Sequence, residues 1–359
     1  MKILEIIRKP IFGICSMLVI LFLFISLGAC KSGNDEGITF RQIQEEKKIE
    51  VYCKGKLFTS LIYPVNIAKP VLYPIITSSG KVLTRGFPID PRPGERIDHP
   101  HQVGFWLNYG DINGIDFWNN SEKIPEDKKS MFGHIEYQGV LDIKSSDNQG
   151  ILEISTLWKS FDDKLLLSEH TKFVFSYEAD TRIIDRITTL KAESGEVSFK
   201  DNKEGMIAIR VTRALELPSE KPAVFVDSHG VASEVMTLNN EGVTGNYLSS
   251  EGITGEAVWG TRAEWMKLSG IVEEEEVALV MIDHPDNVGY PTYWHARGYG
   301  LFAANPLGQA ALSNGREELN FKLSAGESTT FRYRLLVHSG GTLSRESIVD
   351  FADDFKYIK

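Results

Sequence analysis

The sequence predicts an all-β protein, a large antiparallel β-sandwich (a supersandwich) closed by a short C-terminal helix. Three observations carry this. Short alternating runs dominate the body: Leu57 to Tyr63, Gly133 to Ile143, Leu152 to Trp158, Thr171 to Tyr177, Arg182 to Leu190, Gly205 to Val211, Val277 to Ile282 and Thr329 to Val337. Period-two alternation puts one face of each run on a core. Turn clusters such as Ser78-Ser79-Gly80 and Asp147-Asn148-Gln149-Gly150 separate the runs. No glycine-rich phosphate loop occurs, and strands do not alternate with long amphipathic helices, which disfavours a Rossmann or α/β-barrel enzyme.

The elements follow in order. Lys2, Arg8 and Lys9 precede Ile11 to Ala29, a run without charge that ends Leu27-Gly28-Ala29-Cys30. A basic start, an apolar run and small residues at its end form an export-signal pattern. Small residues just before a cysteine make it resemble a bacterial lipoprotein signal. That resemblance implies that residues 1–29 are removed, that Cys30 is lipidated, and that the body is membrane-anchored in the cell envelope, outside the cytoplasm. The alternative is an uncleaved anchor, since the run is about long enough to span a bilayer. Residues 30–46 are polar and read as a tether. Residues 47–359 read as one domain, with no linker inside it. Cys53 lies in the alternating Ile49-Glu50-Val51-Tyr52-Cys53 and reads as a buried, inert thiol. Glu273 to Glu276 mark a solvated hairpin turn. At the tail, Ile348, Phe351, Ala352 and Phe355 fall at helical spacing and form a stripe that docks on the sandwich.

Composition excludes some functions. The chain has 359 residues, is 42% hydrophobic and carries a net charge of -10. No basic stripe with interleaved aromatics is present, so nucleic acid is not an expected partner.

One phrase occurs twice. Ile97-Asp98-His99-Pro100-His101-Gln102-Val103-Gly104-Phe105 and Ile282-Asp283-His284-Pro285-Asp286-Asn287-Val288-Gly289-Tyr290 both read I-D-H-P-x-x-V-G-aromatic. A residue before proline is pushed toward extended backbone. If Ile97 to Leu107 is a strand, His99 and His101 share a face and stand about 7 Å apart. Such a pair can face a substrate or a metal. The plainer reading is a turn in which Asp98 and His99 satisfy backbone groups. The expectation is that His99, His101, His284 and His295 converge in one cleft, with Glu204 as a further acid or base. A salt bridge to Lys203 or Arg210 is the structural reading of Glu204. His99, His101 and His284 also offer a divalent-metal site, although metal-free acid-base chemistry uses the same residues. No cofactor is assured beyond this optional divalent metal.

The surroundings favour a sugar. Trp106, Asp111, Asn113, Asp116 and Trp118 follow the first phrase, and Trp294, Arg297 and Asn305 follow the second. Aromatic faces and hydrogen-bonding groups suit a ring with apolar faces and hydroxyl edges. Arg297 is the best-placed group for a carboxylate or oxyanion.

Asp98-His99-Pro100-His101, Gly110-Asp111-Ile112-Asn113-Gly114, Asp116-Phe117-Trp118, Asp283-His284-Pro285, Trp294-His295-Ala296-Arg297 and Leu301-Phe302-Ala303-Ala304-Asn305-Pro306 together resemble the PmoA-like family, whose label is methane oxygenase. The resemblance runs from about Leu57 to Val337 and departs at Gln102. One export signal followed by strands is not a membrane subunit of a methane monooxygenase. The family's occurrence in carbohydrate-utilising bacteria implies a carbohydrate ligand. His-Pro-His-Gln-Val-Gly-Phe-Trp is also similar to a stretch of the aldose mutarotases, which implies a galactose-mutarotase-like supersandwich. Two functions fit. One is a carbohydrate-active enzyme of the mutarotase, epimerase, lyase or hydrolase type. The other is a non-catalytic glycan-binding lipoprotein serving sugar uptake.

Overall fold

The computed structural model describes residues 37–227 and 229–358. Two antiparallel sheets of eight strands face each other. The front sheet runs, in spatial order, Ile38–Ile43, Lys48–Cys53, Lys56–Ile62, Val71–Leu72, Phe105–Tyr109, Gly205–Arg210, Leu301–Asn305 and Tyr293–Trp294. The back sheet runs Asn246–Ser249, Trp265–Val272, Glu275–Asp283, Ser328–Ser339, Thr181–Ala192, Leu165–Glu178, Gln149–Ser160 and Gly133–Ser145. Each alternating run of the sequence lies in one of these strands. The all-β expectation is met, and so is the antiparallel pairing.

Alternation sorts the side chains into three layers. Phe105, Leu107, Ile207, Ile209 and Phe302 of the front sheet meet Ile184, Leu279, Met281 and Leu335 of the back sheet in the main core. Their neighbours along the same strands point the other way. Trp106, Ala208, Leu301 and Ala303 form a cluster with Trp118 on the outer face of the front sheet. Ala278, Val280, Ile282 and Leu336 form another on the outer face of the back sheet. A side chain on a strand can serve only one face, so strand parity fixes which layer it joins.

The C-terminal helix covers the outer back face. Arg345–Phe355 buries Ile348, Phe351, Ala352 and Phe355, the stripe expected from spacing. Ser344 caps it by accepting from the Ser347 N–H at 3.1 Å. Arg334 fixes the helix further, pairing with both Asp185 oxygens at 2.7 and 2.8 Å and donating to the Phe351 carbonyl at 2.9 Å. Cys53 is buried, and burial raises its thiol pKa.

Two expectations are corrected. The tether was drawn to residue 46, but Ile38–Ile43 is an edge strand paired along its length with Lys48–Cys53. Ile38 is fully buried in the main core, so the folded part includes this strand. The strand drawn from Ile97 begins only at Phe105. Residues 97–104 form a loop, and His99 has φ of +44°, in the left-handed region rather than the extended one. The segment holding Cys30 and the signal pattern lies outside the described residues.

Candidate functional site

The loop bearing the first I-D-H-P phrase is held from below by Arg85. This side chain is 1% exposed. It donates to the carbonyls of Arg96 (3.2 Å), Asp98 (2.8 Å), His99 (2.9 Å) and Gln102 (3.0 Å). Gathering four carbonyls around one guanidinium curls the chain. That accounts for a left-handed His99 despite the proline after it. Gly104 is needed where the loop re-enters the sheet, because a Cβ there would meet the Leu72 carbonyl oxygen at 2.4 Å.

Asp98 is the electrostatic centre of this loop. Its Oδ1 accepts from Arg85 at 2.8 Å and from Arg210 at 2.6 Å. Its Oδ2 lies 3.2 Å from Nδ1 of His99. Burial would raise this carboxyl, but His99, Arg210 and Arg85 together hold it well below the usual range. With Nδ1–H directed at Asp98, Nε2 of His99 is left as the free ring nitrogen. The His99 side chain is 40% exposed. It stacks on Tyr299 with ring centroids 5.0 Å apart and planes 5° apart. Arg210 lies 4.9 Å from the same tyrosine ring, and Arg297 lies 5.7 Å from it.

The other predicted groups fall into three sets. Some join His99 on the outer face of the front sheet. His101 packs edge-on to His99 at 5.7 Å but is buried. Burial, aided by the Lys69 charge, pushes its pKa down to about 2, so it is neutral. His295 is 2% exposed, and its Nδ1 has no hydrogen-bond partner among the described residues. Burial lowers its pKa to about 4 against the opposing charge of Glu204. Glu204 is half-buried and ion-paired with Lys203, as the structural reading had it. Gly110 leaves room for it, since a Cβ there would meet the Glu204 Cβ at 2.7 Å. Asp116 accepts from the N–H groups of Trp118 and Asn119 at 2.8 and 2.9 Å, and burial raises its pKa. Arg297 is exposed.

A second set is structural. Trp106 and Trp118 are fully buried against each other, with centroids 5.4 Å apart, and offer no open face. Trp294 lies in the main core, donating to the Ala263 carbonyl at 3.1 Å. Asn305 is buried and donates to the carbonyls of Asn202 (2.8 Å) and Lys203 (3.0 Å). Asp111 accepts from the Gly114 N–H at 2.9 Å, closing a turn. Asn113 ties that turn to the neighbouring strand, donating to the Glu196 carbonyl at 3.1 Å and accepting from the Ser198 N–H at 2.8 Å. These residues shape the site's support rather than its surface.

The third set is His284 alone. It follows the back-sheet strand Glu275–Asp283 and sits edge-on to Phe355 of the C-terminal helix at 5.1 Å, 1% exposed. Its Nδ1 accepts from the Asp286 N–H at 3.1 Å. Burial lowers its pKa. The two phrases therefore lie on opposite outer faces of the sandwich, and a shared cleft is not formed. The metal triad of His99, His101 and His284 falls with it. Among the described residues no group of three or more His, Cys, Asp or Glu is placed to hold a metal ion.

The sequence reading missed Lys69, Arg85 and Tyr299, and named Arg210 only as a partner for Glu204. Lys69 is 2% exposed, donates to the His101 carbonyl at 2.7 Å and lies 5.2 Å over the Trp106 ring. Burial pushes its pKa down to about 7. Its position between apolar residues in Ala68-Lys69-Pro70-Val71 was the available signal.

These features define an all-β sandwich protein with an ionic, aromatic-lined face on the outside of its front sheet. The chain belongs to a family of unknown function, DUF6807, whose model matches residues 48–353. That match replaces the resemblance to the PmoA-like family. No curated protein matches the sequence. Among solved structures the chain is similar to the GH36 α-galactosidase AgaB from Geobacillus stearothermophilus, at 10% identity and a TM-score of 0.41, over 84% of this chain and 41% of that one. It is also similar to a galactose mutarotase-like protein from Clostridium acetobutylicum, at 10% identity and a TM-score of 0.37, over 85% of this chain and 98% of that one. The chain thus spans about two fifths of the α-galactosidase's length. Likeness at this level identifies no activity.

Proposed function

We propose that this protein acts on a carbohydrate at the outer face of its front sheet, with His99 as the acid-base group. One observation carries the reading. An exposed imidazole is oriented by a carboxylate that two buried arginines keep ionised. Such an arrangement fixes the ring and its tautomer, and it leaves Nε2 free to take and return a proton. Tyr299 packs flat under the imidazole and holds it beside Arg297. Burial raises the pKa of its hydroxyl. The reaction classes that fit are epimerisation or mutarotation, elimination and hydrolysis.

A panel of sugars incubated with the full chain in deuterated water and followed by NMR tests this. Anomer exchange, deuterium uptake or bond cleavage should appear with wild type and vanish with His99→Gln. Saturation-transfer binding without any turnover would instead favour the glycan-binding reading. The burial of His101 and His295 and the pairing of Glu204 with Lys203 lend that second reading support.

The same proposal places the domain outside the cytoplasm, anchored through a lipid on Cys30. It rests on Leu27-Gly28-Ala29-Cys30 after an uncharged run. Globomycin, or Cys30→Ala, should leave an unprocessed precursor; normal processing elsewhere in the chain would sink the anchor.

A further inference from the structure

The geometry points to an acidic carbohydrate as the ligand of this face, its carboxylate held by Arg297. The inference rests on the carbohydrate reading above and adds the charge of the ligand. Arg297 sits in a pinned turn. Its backbone N–H donates to the Leu301 carbonyl at 2.7 Å, and its carbonyl accepts from the Gly300 N–H at 3.0 Å. The guanidinium contacts two aromatic rings, 5.8 Å from Trp259 and 5.7 Å from Tyr299. Aromatic faces orient a guanidinium without consuming its N–H donors.

No carboxylate among the described residues lies within ion-pair distance of Arg297. Three of the nearby acids are engaged with other cations. Asp98 is shared by Arg85 and Arg210, Glu204 is paired with Lys203, and Glu216 is paired with Arg96 and Arg213. Glu256 reaches the Gly298 side of the turn, where a Cβ would meet its Oε1 at 2.8 Å, but it makes no ion pair with Arg297. A chain with a net charge of -10 therefore leaves an exposed, oriented guanidinium unpaired beside its one exposed site imidazole. A planar fork of this kind matches a carboxylate through two parallel hydrogen bonds. A uronic-acid ring lying beside the His99–Tyr299 stack would present its carboxylate to Arg297 and a hydroxyl or ring C–H to His99.

The test uses the full chain in detergent on an array of acidic oligosaccharides, their carboxyl methyl esters and sulfated glycans. The expected result is at least tenfold tighter binding of the free acids than of their esters, weakening as salt rises. Arg297→Gln should erase that preference without lowering the melting temperature, and Arg297→Lys should keep part of it. Equal binding of acids and esters would overturn the inference while leaving a carbohydrate ligand in place. Preference for sulfated glycans over uronates would overturn the carboxylate assignment. Binding to none of them would overturn both this inference and the carbohydrate reading.

Discussion

The two I-D-H-P phrases share their residues and differ in almost every physical respect. In the first, Asp98 faces two buried guanidiniums, and His99 stands half in solvent on Tyr299. In the second, Asp283 is 2% exposed and meets only neutral donors, the Asn287 amide at 2.7 Å and the Thr292 N–H at 2.8 Å. Burial therefore dominates and raises its pKa to about 7. His284 is sealed under the C-terminal helix. A local motif specifies a turn with an aspartate acceptor, and both copies make one. What the motif does beyond that is decided by the residues the fold brings against it.

The largest expected effect tests that contrast directly. Asp98→Asn strips the counter-charge from Arg85 and Arg210, which stay buried, and should destabilise the protein by about 3 kcal/mol. Asp283→Asn replaces a carboxyl that is largely protonated at pH 6 and should cost only about 1 kcal/mol there. Urea unfolding of both variants at pH 6 measures this. Equal losses would break the comparison.

Titration sharpens it. The folded state holds the Asp283 proton up to about pH 7, whereas the unfolded chain releases it near 3.8. Between those values the folded state binds more protons, so this group's contribution to stability falls as pH rises. From pH 5 to pH 8 the advantage of wild type over Asp283→Asn should shrink by about 2–3 kcal/mol. Asp98 is depressed instead, so its contribution is complete above about pH 4 and is lost only on further acidification. Asp98's own titration should therefore add nothing to the gap between wild type and Asp98→Asn from pH 5 to pH 8. Parallel curves for the two variants would contradict the assigned environments.

Removing the sealed imidazole comes next. His284→Ala opens a void against Phe355 and should cost about 2 kcal/mol, visible as a lower urea midpoint with an unchanged slope. Turnover per folded molecule should be unaffected, because this face lies across the sandwich from His99. Loss of turnover at full stability would restore a shared site.

Much of the fold was legible because alternation is a local property. Each long run declared its strand, and the spacing of Ile348, Phe351, Ala352 and Phe355 declared the helix. Ile38–Ile43 was not legible. As an edge strand it alternates Ile38 and Phe40 with polar residues over only a few positions, and it borders a polar segment. The site was legible in part. His99, His101, Glu204, His295 and Arg297 do gather on one face, because they sit at outward positions or on loops at that face. Parity could not say which sheet a phrase belongs to, so His284 was assigned to the wrong side. Trp106, Trp118 and Trp294 read as sugar platforms but were taken up by packing. Lys69 and Arg85 drew no reading, and Arg210 only one as a partner for Glu204, because their burial depends on long-range contacts that no short window contains.

The smallest expected stability change is the most telling about His99. The residue lies at φ +44°, where a β-carbon costs about 1 kcal/mol and glycine costs none. Its ring gains something similar from stacking on Tyr299 and from the 3.2 Å contact of its Nδ1 with Asp98. His99→Gly removes both terms together, so the melting temperature should move little, by the equivalent of about 0.5 kcal/mol or less. At the second phrase no such offset exists, and His284→Gly should be at least as costly as His284→Ala. If His99 is the acid-base group, His99→Gly should abolish turnover in a protein as stable as wild type, and added imidazole should restore part of the rate. A variant that loses stability by several kcal/mol would mean that the ring is held there for packing. A variant that keeps both stability and turnover would remove His99 from the chemistry while leaving Arg297 and the aromatic wall as a binding face.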